Sequence, residues 1–235
     1  ISGFIMIFIQ EKNRKSPLEF LKNRVKRIVP VYWLLTLVFI SLVFAIPATF
    51  NSVNITASKI LYSFLFIEDW MSGTMPILYV GWTLEYEMLF YIIFALSLFV
   101  NNKLISYLNM SVALISLPLI TSLDLIILEF VFGMLCAYVF LKIKPRNGLL
   151  TFGLGVSLLC SSLFIDYELH RAFKWGIPTF FIVLGLLWMK QTHNKIAIYL
   201  GNASYSIYLI QVFTIPLFYK VFSKYLSFLD GHIIA

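Results

Sequence analysis

The chain has 235 residues, of which 60% are hydrophobic and 12% charged, and its formal net charge is +7. A soluble domain of this size has about 25% charged residues. Half that fraction, with 23 Phe and 13 Tyr, excludes a soluble globular core and specifies a polytopic integral membrane protein.

Mean hydropathy is +0.90, and the apolar content lies in long runs between short polar breaks, so helices rather than barrel strands are expected. The first nine residues are apolar but too few to cross a bilayer. They lack the charged flank and cleavage site of a signal peptide, and we read them as the end of a span whose start precedes Ile1. In the next stretch Ser16 can N-cap a helix with Pro17 at its first position and Glu19 completing a capping box. Leu18, Leu21, Val25 and Ile28 form an apolar stripe flanked by Lys22, Arg24, Lys26 and Arg27. Such a helix can lie flat at the cytoplasmic surface. It is either a topology determinant that meets anionic lipid or a phosphate clamp. Arg24 and Arg27 are i, i+3 neighbours, so both guanidiniums can reach one polyphosphate.

Full spans are expected at about 29–50, 78–100, 104–122, 123–141, 148–165, 174–189 and 196–219. The fold class is therefore all-α, a polytopic transmembrane bundle of about seven full spans plus a partial N-terminal span, with residues 1–235 as one integral-membrane domain. With residues 10–28 cytoplasmic, the inner loops hold 13 of the 18 basic residues and the outer segments 5, the bias that fixes orientation. The outer connector 51–77 is the longest loop. Within it residues 59–67 are too short to cross and fit the membrane interface, with Glu68, Asp69 and Trp70 after them as an interfacial anchor or an acceptor contact.

Residues 79–94 carry the strongest functional signal, because Glu85 and Glu87 stand inside an apolar helix where each charge costs roughly 2.5–3.5 kcal/mol at mid-bilayer. Two residues apart, they point to nearly opposite faces. Glu85 is nearer the outer end and is expected to snorkel, leaving Glu87 as the inward carboxylate, on one face with Thr83 and Tyr91. Glu87 is either a hydrogen-bonding strut between helices or a group that orients a catalytic base or binds a substrate hydroxyl. Glu129 reads as a polar tie beside Gly133, whose missing side chain allows close helix approach. Ser204, Tyr208 and Gln211 lie roughly on one face of the last span.

His170, His193 and His232 fall in loops or the tail and read as solvated. Cys136 and Cys160 read as small packing residues, with no metal-ligand spacing around them. No nucleophile elbow, phosphate loop or dinucleotide fingerprint is present.

Four stretches resemble acyltransferase family 3, the multi-spanning membrane O-acyltransferases. They are Ile1-Ser-Gly-Phe-Ile-Met, Arg24-Val-Lys-Arg27 with the following Ile-Val-Pro-Val-Tyr-Trp33, Gly81-Trp-Thr-Leu-Glu-Tyr-Glu-Met-Leu-Phe-Tyr91, and Leu200-Gly-Asn-Ala-Ser-Tyr-Ser-Ile-Tyr-Leu209. The resemblance covers the whole chain in order. It implies transfer of an acyl group, usually acetyl from acetyl-CoA as co-substrate, to a hydroxyl of a glycan or lipid-linked sugar at the bacterial inner membrane. No bound cofactor, metal or nucleic acid is implied. By the same carry-over Arg24 and Arg27 serve the acyl-CoA, Glu87 supports catalysis, and Trp82, Tyr91, Ser204, Tyr205 and Tyr208 are motif residues. The family's candidate catalytic His lies in a first span and members end with one more span. We therefore expect this sequence to be incomplete at both ends and inactive by itself. Gln211 stands where many relatives have His. A flippase for a lipid-linked glycan is the alternative, because buried carboxylates also line transport paths, although no inverted repeat is evident. A non-catalytic scaffold is a third reading.

Overall fold

The computed structural model describes residues 1–47, 54–121, 123–145, 147–164, 169–191 and 194–225, and these form ten α-helices and two 3-10 turns without strands. The helices are α1 (Ser2–Lys12), α2 (Pro17–Ala45), α3 (Ala57–Leu65), α4 (Glu68–Ser72), α5 (Trp82–Ser97), α6 (Lys103–Ile120), α7 (Leu128–Lys142), α8 (Gly148–Phe164), α9 (Arg171–Trp188) and α10 (Lys195–Tyr225). A helix lies at each of the seven expected span positions. Four segments of the described residues, Pro17–Ala45, Lys103–Ile120, Leu125–Lys142 and Lys195–Phe222, are long and apolar enough to cross a membrane, and Gly148–Phe164 is a shorter apolar helix. Leu34, Leu37, Leu119, Leu149, Leu150 and Leu217 are among many large apolar side chains on exposed faces, as expected where lipid rather than water is the solvent. His193, His232, Arg146, residues 48–50, 122 and 165 at expected span ends, and residues 231–235 lie outside the described residues.

Ser16 caps α2 as expected, its hydroxyl accepting from the Glu19 N–H at 3.3 Å. Glu19 pairs with Lys15 at 3.3 Å. The basic stretch is not a separate surface helix, however. α2 runs unbroken from Pro17 to Ala45 with Pro30 inside it. One missing backbone donor at Pro30 costs less than making two new helix ends, each of which leaves four backbone groups without helical partners.

The chain forms two compact units, one of residues 1–24 and 86–192 and the other of residues 25–85 and 193–235. In the first, α7 packs against α1, α6 and α9, and α8 packs along α9. Small residues permit these approaches, as is usual between membrane helices. A Cβ on Gly133 would stand 3.0 Å from the Phe4 nitrogen, and one on Gly3 would collide with the Phe130 carbonyl, so the close approach expected at Gly133 is with α1. Phe90 stacks on Phe130 with centroids 4.4 Å apart. Arg14 closes the end of α5, donating to the carbonyls of Val100 and Asn101 at 2.9 Å each. Glu11 accepts from Lys103 and Tyr107. Burial alone would raise the Glu11 carboxyl, but these two donors and the Lys103 charge hold it below its ordinary value of 4.5.

In the second unit Thr56 caps α3, which ends where Phe66 takes a left-handed conformation (φ 59°). That conformation is uncommon outside glycine, and here the Phe66 ring packs on buried Tyr32 at 4.7 Å. Trp33 donates its indole N–H to the Phe64 carbonyl at 3.0 Å, and Ser63 accepts from the Ile77 N–H.

Candidate active site

The structure reverses the expected burial of the two α5 carboxylates. Glu85 does not snorkel. It is 1% exposed, and its oxygens accept from the backbone N–H groups of Glu68 at 3.0 Å and Asp69 at 3.1 Å. These are donors at the start of α4, which have no helical acceptor of their own. Glu68 is buried as well and accepts from the Ser72 and Thr74 hydroxyls, so it fixes this turn and is not an interfacial anchor.

Glu87 is half-buried. Its Oε1 accepts from the Ser2 hydroxyl at 2.7 Å and the Tyr91 hydroxyl at 2.6 Å. Its Oε2 accepts nothing from the described residues. Tyr91 is buried one turn along α5, where its ring meets the edge of Phe20 at 6.0 Å. Phe20 also packs on Phe94 at 4.8 Å, and the Arg24 guanidinium lies over the Phe20 ring at 5.8 Å. The Nε of Arg24 is buried without a hydrogen-bond partner among the described residues. The first unit therefore joins Arg24, Phe20, Tyr91, Glu87 and Ser2 in one chain of contacts. Chemically this is a cation with a donor still to satisfy, next to a carboxylate whose orientation is fixed by two hydroxyls.

Arg27 is exposed on α2 and forms no ion pair among the described residues. Trp82 is half-buried at the start of α5. In the second unit the motif tyrosines hold backbone. Tyr205 donates to the Ile28 carbonyl at 2.9 Å, and Tyr208 reaches the Val80 carbonyl at 2.9 Å and the Thr83 hydroxyl at 2.6 Å. Ser204 is exposed, and among the described residues it bonds only back to Gly201 of its own helix. The working face of α10 is thus Tyr205 with Tyr208, where the spacing suggested Ser204, Tyr208 and Gln211. Gly81 is needed beside them, because a Cβ there would stand 2.6 Å from the Tyr32 hydroxyl.

His170 is not simply solvated. Its Nδ1 accepts from the Ala172 N–H at 3.2 Å and its Nε2 lies 3.3 Å from Asp124. With both nitrogens engaged, the ring holds the start of α9 and has no free lone pair for proton abstraction. Asp124 also caps the 3-10 turn Leu125–Ile127 through the Ile126 N–H. Cys136 is buried and Cys160 exposed, unpaired in each case. No group of three or more metal-ligating side chains occurs among the described residues.

Sequence reasoning read Glu129 as packing with a polar tie and left a functional role open, and it gave Arg171 and Trp175 no site role. All three line a cavity of about 260 Å³ in the first unit. The i, i+4 spacing of Arg171 and Trp175 on α9 was the available signal.

Comparison with known proteins identifies the family from the sequence. The acyltransferase 3 family model, described as "Acyltransferase domain", matches residues 1–233. The exopolysaccharide production protein ExoZ of Rhizobium meliloti (strain 1021) is 33% identical over 243 residues, which cover 94% of this chain and 75% of that protein. No solved structure matches. The pair Ser2 and Glu87 of the first unit, and the pairs Tyr205 with Ile28 and Tyr208 with Val80 of the second, lie within the matched region, and the chain belongs to the acyltransferase 3 family.

Proposed function

We propose that this protein transfers an acetyl group from acetyl-CoA to a hydroxyl of an exported polysaccharide or its lipid-linked precursor, at the bacterial inner membrane. In this reading residues 1–235 work as one acyltransferase domain with seven full spans and a partial one. The observation that carries the proposal is the contact chain from Arg24 through Phe20 and Tyr91 to Glu87. The polysaccharide acceptor is suggested by the printed role of the exopolysaccharide relative.

Arg24 would bind the CoA phosphates through its unsatisfied donor, because charge-assisted bonds from guanidinium to phosphate are strong and directional. Arg27 would add charge at the exposed side of the same helix. Glu87, held by Ser2 and Tyr91 through one oxygen, would use the other to orient the general base that takes the acceptor proton. The sugar oxygen attacks the thioester carbonyl, a C–O bond forms and the C–S bond breaks, and the departing CoA thiolate takes up a proton.

The test is mass spectrometry of the surface glycan from cells with the intact gene, a deletion, and Arg24→Ala with Arg27→Ala at matched protein level. Loss of acetyl groups in both altered cells supports the reading. Unchanged acetylation in all three overturns it.

A further inference from the structure

A groove in the first unit is lined by the adjoining ends of three helices. Each helix supplies two side chains one turn apart: Ile7 and Glu11 of α1, Lys103 and Tyr107 of α6, and Tyr138 and Lys142 of α7. Leu104 and Leu141 complete the lining, and both are exposed. The volume is about 350 Å³, within the roughly 300–1,000 Å³ of small-molecule sites.

The groove keeps a positive charge. Glu11 accepts from the Lys103 ammonium through one oxygen at 2.9 Å and from the Tyr107 hydroxyl through the other at 3.0 Å. An ammonium has three donors, and Lys103 commits one of them to Glu11. Lys142 is exposed and forms no ion pair among the described residues, yet it is near enough to act on Glu11 electrostatically. Arg14, whose charge reaches Tyr107, is committed to the carbonyls of Val100 and Asn101. Lys103 and Lys142 against Glu11 therefore leave one net positive charge in the lining, with donors to spare. Its complement is a singly charged acceptor such as a phosphodiester rather than a polyanion such as CoA.

The apolar side of the groove continues beyond it. From Leu104 an exposed row runs along α6 through Leu108, Val112 and Ile115. At 1.5 Å per residue the row is about 16 Å long, close to half of the roughly 30 Å hydrocarbon core. The loop charges assign these helix ends to the cytoplasmic side, the leaflet whose surface is negatively charged by its lipids. We propose that this groove binds an anionic phospholipid of that leaflet, its phosphodiester held by Lys103 and Lys142 and one acyl chain laid along the Leu104–Ile115 row, an inference independent of the acetylation reading above. A free phosphate would use the lysines and leave the leucine row without a part. A phospholipid matches both.

The experiment uses the full chain in detergent micelles, titrated with phosphatidylglycerol or with zwitterionic phosphatidylcholine of the same acyl chains, and bound lipid is counted by native mass spectrometry. Wild type, Lys142→Ala and Lys144→Ala are compared. Lys142 is exposed, so its removal leaves the contacts of Glu11 with Lys103 and Tyr107 in place. Lys144 is exposed but does not line the groove, so its variant controls for loss of surface charge alone. The expected result is that wild type binds phosphatidylglycerol more tightly than phosphatidylcholine. The phosphatidylglycerol Kd should rise roughly fivefold in Lys142→Ala, about 1 kcal/mol at 1.4 kcal/mol per tenfold. It should change by less than about twofold in Lys144→Ala, and phosphatidylcholine should bind all three proteins alike. Equal binding of the two lipids by wild type, an unchanged Kd in Lys142→Ala, or equal losses in the two variants overturns the site. Displacement of phosphatidylglycerol from wild type by inorganic phosphate or by acetyl-CoA assigns the lysines to a soluble phosphate and overturns the lipid as occupant.

Discussion

Removing the Glu85 side chain tests the account of how α5 holds the outer connector. Glu85→Ala takes the acceptor away from two backbone donors, the N–H groups of Glu68 and Asp69, bonded at 3.0 and 3.1 Å. Both stand at the start of α4, where no carbonyl of the helix can replace it. A buried donor left unsatisfied costs about 1–3 kcal/mol. The Glu68 contact is buried and the Asp69 contact only partly so, so one full penalty and part of a second give about 2–3 kcal/mol. At 1.4 kcal/mol per tenfold, local opening should become roughly 30–150 times more frequent. Hydrogen–deuterium exchange of the peptide covering residues 66–76, in nanodiscs, reads this directly. Glu85→Gln keeps one acceptor oxygen and should fall between wild type and alanine, whereas exchange over 86–97 should stay as in wild type. If Glu68 and Asp69 exchange no faster in Glu85→Ala, the carboxylate is not what holds this turn and the burial argument fails.

The remaining expectations are more local. Gly133→Ala places a Cβ 3.0 Å from backbone of α1; overpacking of this kind costs about 1–3 kcal/mol, so melting in detergent should drop, and an unchanged melting temperature would refute the tight α1–α7 crossing. Glu11 has a carboxyl held below 4.5 when folded, so its contribution is present above its unfolded pKa and is lost as pH falls through the lower folded value. Glu11→Gln should therefore lower stability by under about 1 kcal/mol at neutral pH, given the partly exposed Lys103 partner, and the gap to wild type should close in acid. Arg24→Ala should raise the acetyl-CoA KM more than Arg27→Ala does, because the Nε of Arg24 is buried and unsatisfied while Arg27 is exposed; equal effects would refute the distinction.

What the sequence made legible is what depends on neighbours in the chain. Ser16 caps α2 and Gly133 marks a close crossing because both signals sit within one turn of their effects. The helix positions follow from runs of apolar residues for the same reason. The sequence misled where the deciding partner lies far along the chain. A span expected to begin at about residue 29 set the basic stretch apart as a surface helix, whereas α2 runs unbroken from Pro17 to Ala45. Beside the local bond from the Ala172 N–H, Asp124, 46 positions earlier, engages the His170 ring. Arg14 counted as one more cytoplasmic charge, while its role is to close α5 by meeting carbonyls of residues 98–101.

The α5 carboxylates show how far spacing reaches and where it stops. At about 100° per residue, positions two apart on a helix diverge by roughly 200°, so Glu85 and Glu87 must face different surroundings, and they do. Which of them serves chemistry does not follow from that angle. It depends on what each carboxylate has left to offer. Both oxygens of Glu85 are committed to backbone N–H groups, and a carboxylate so used cannot turn toward a substrate without opening α4. Among the described residues Glu87 is oriented through Oε1 alone, which leaves Oε2 positioned and without a donor from them. The less buried carboxylate is for this reason the better candidate for function, since a catalytic group needs fixed geometry and an unspent lone pair together. Depth in the bundle, the criterion the sequence invites, selects the residue that holds the connector instead.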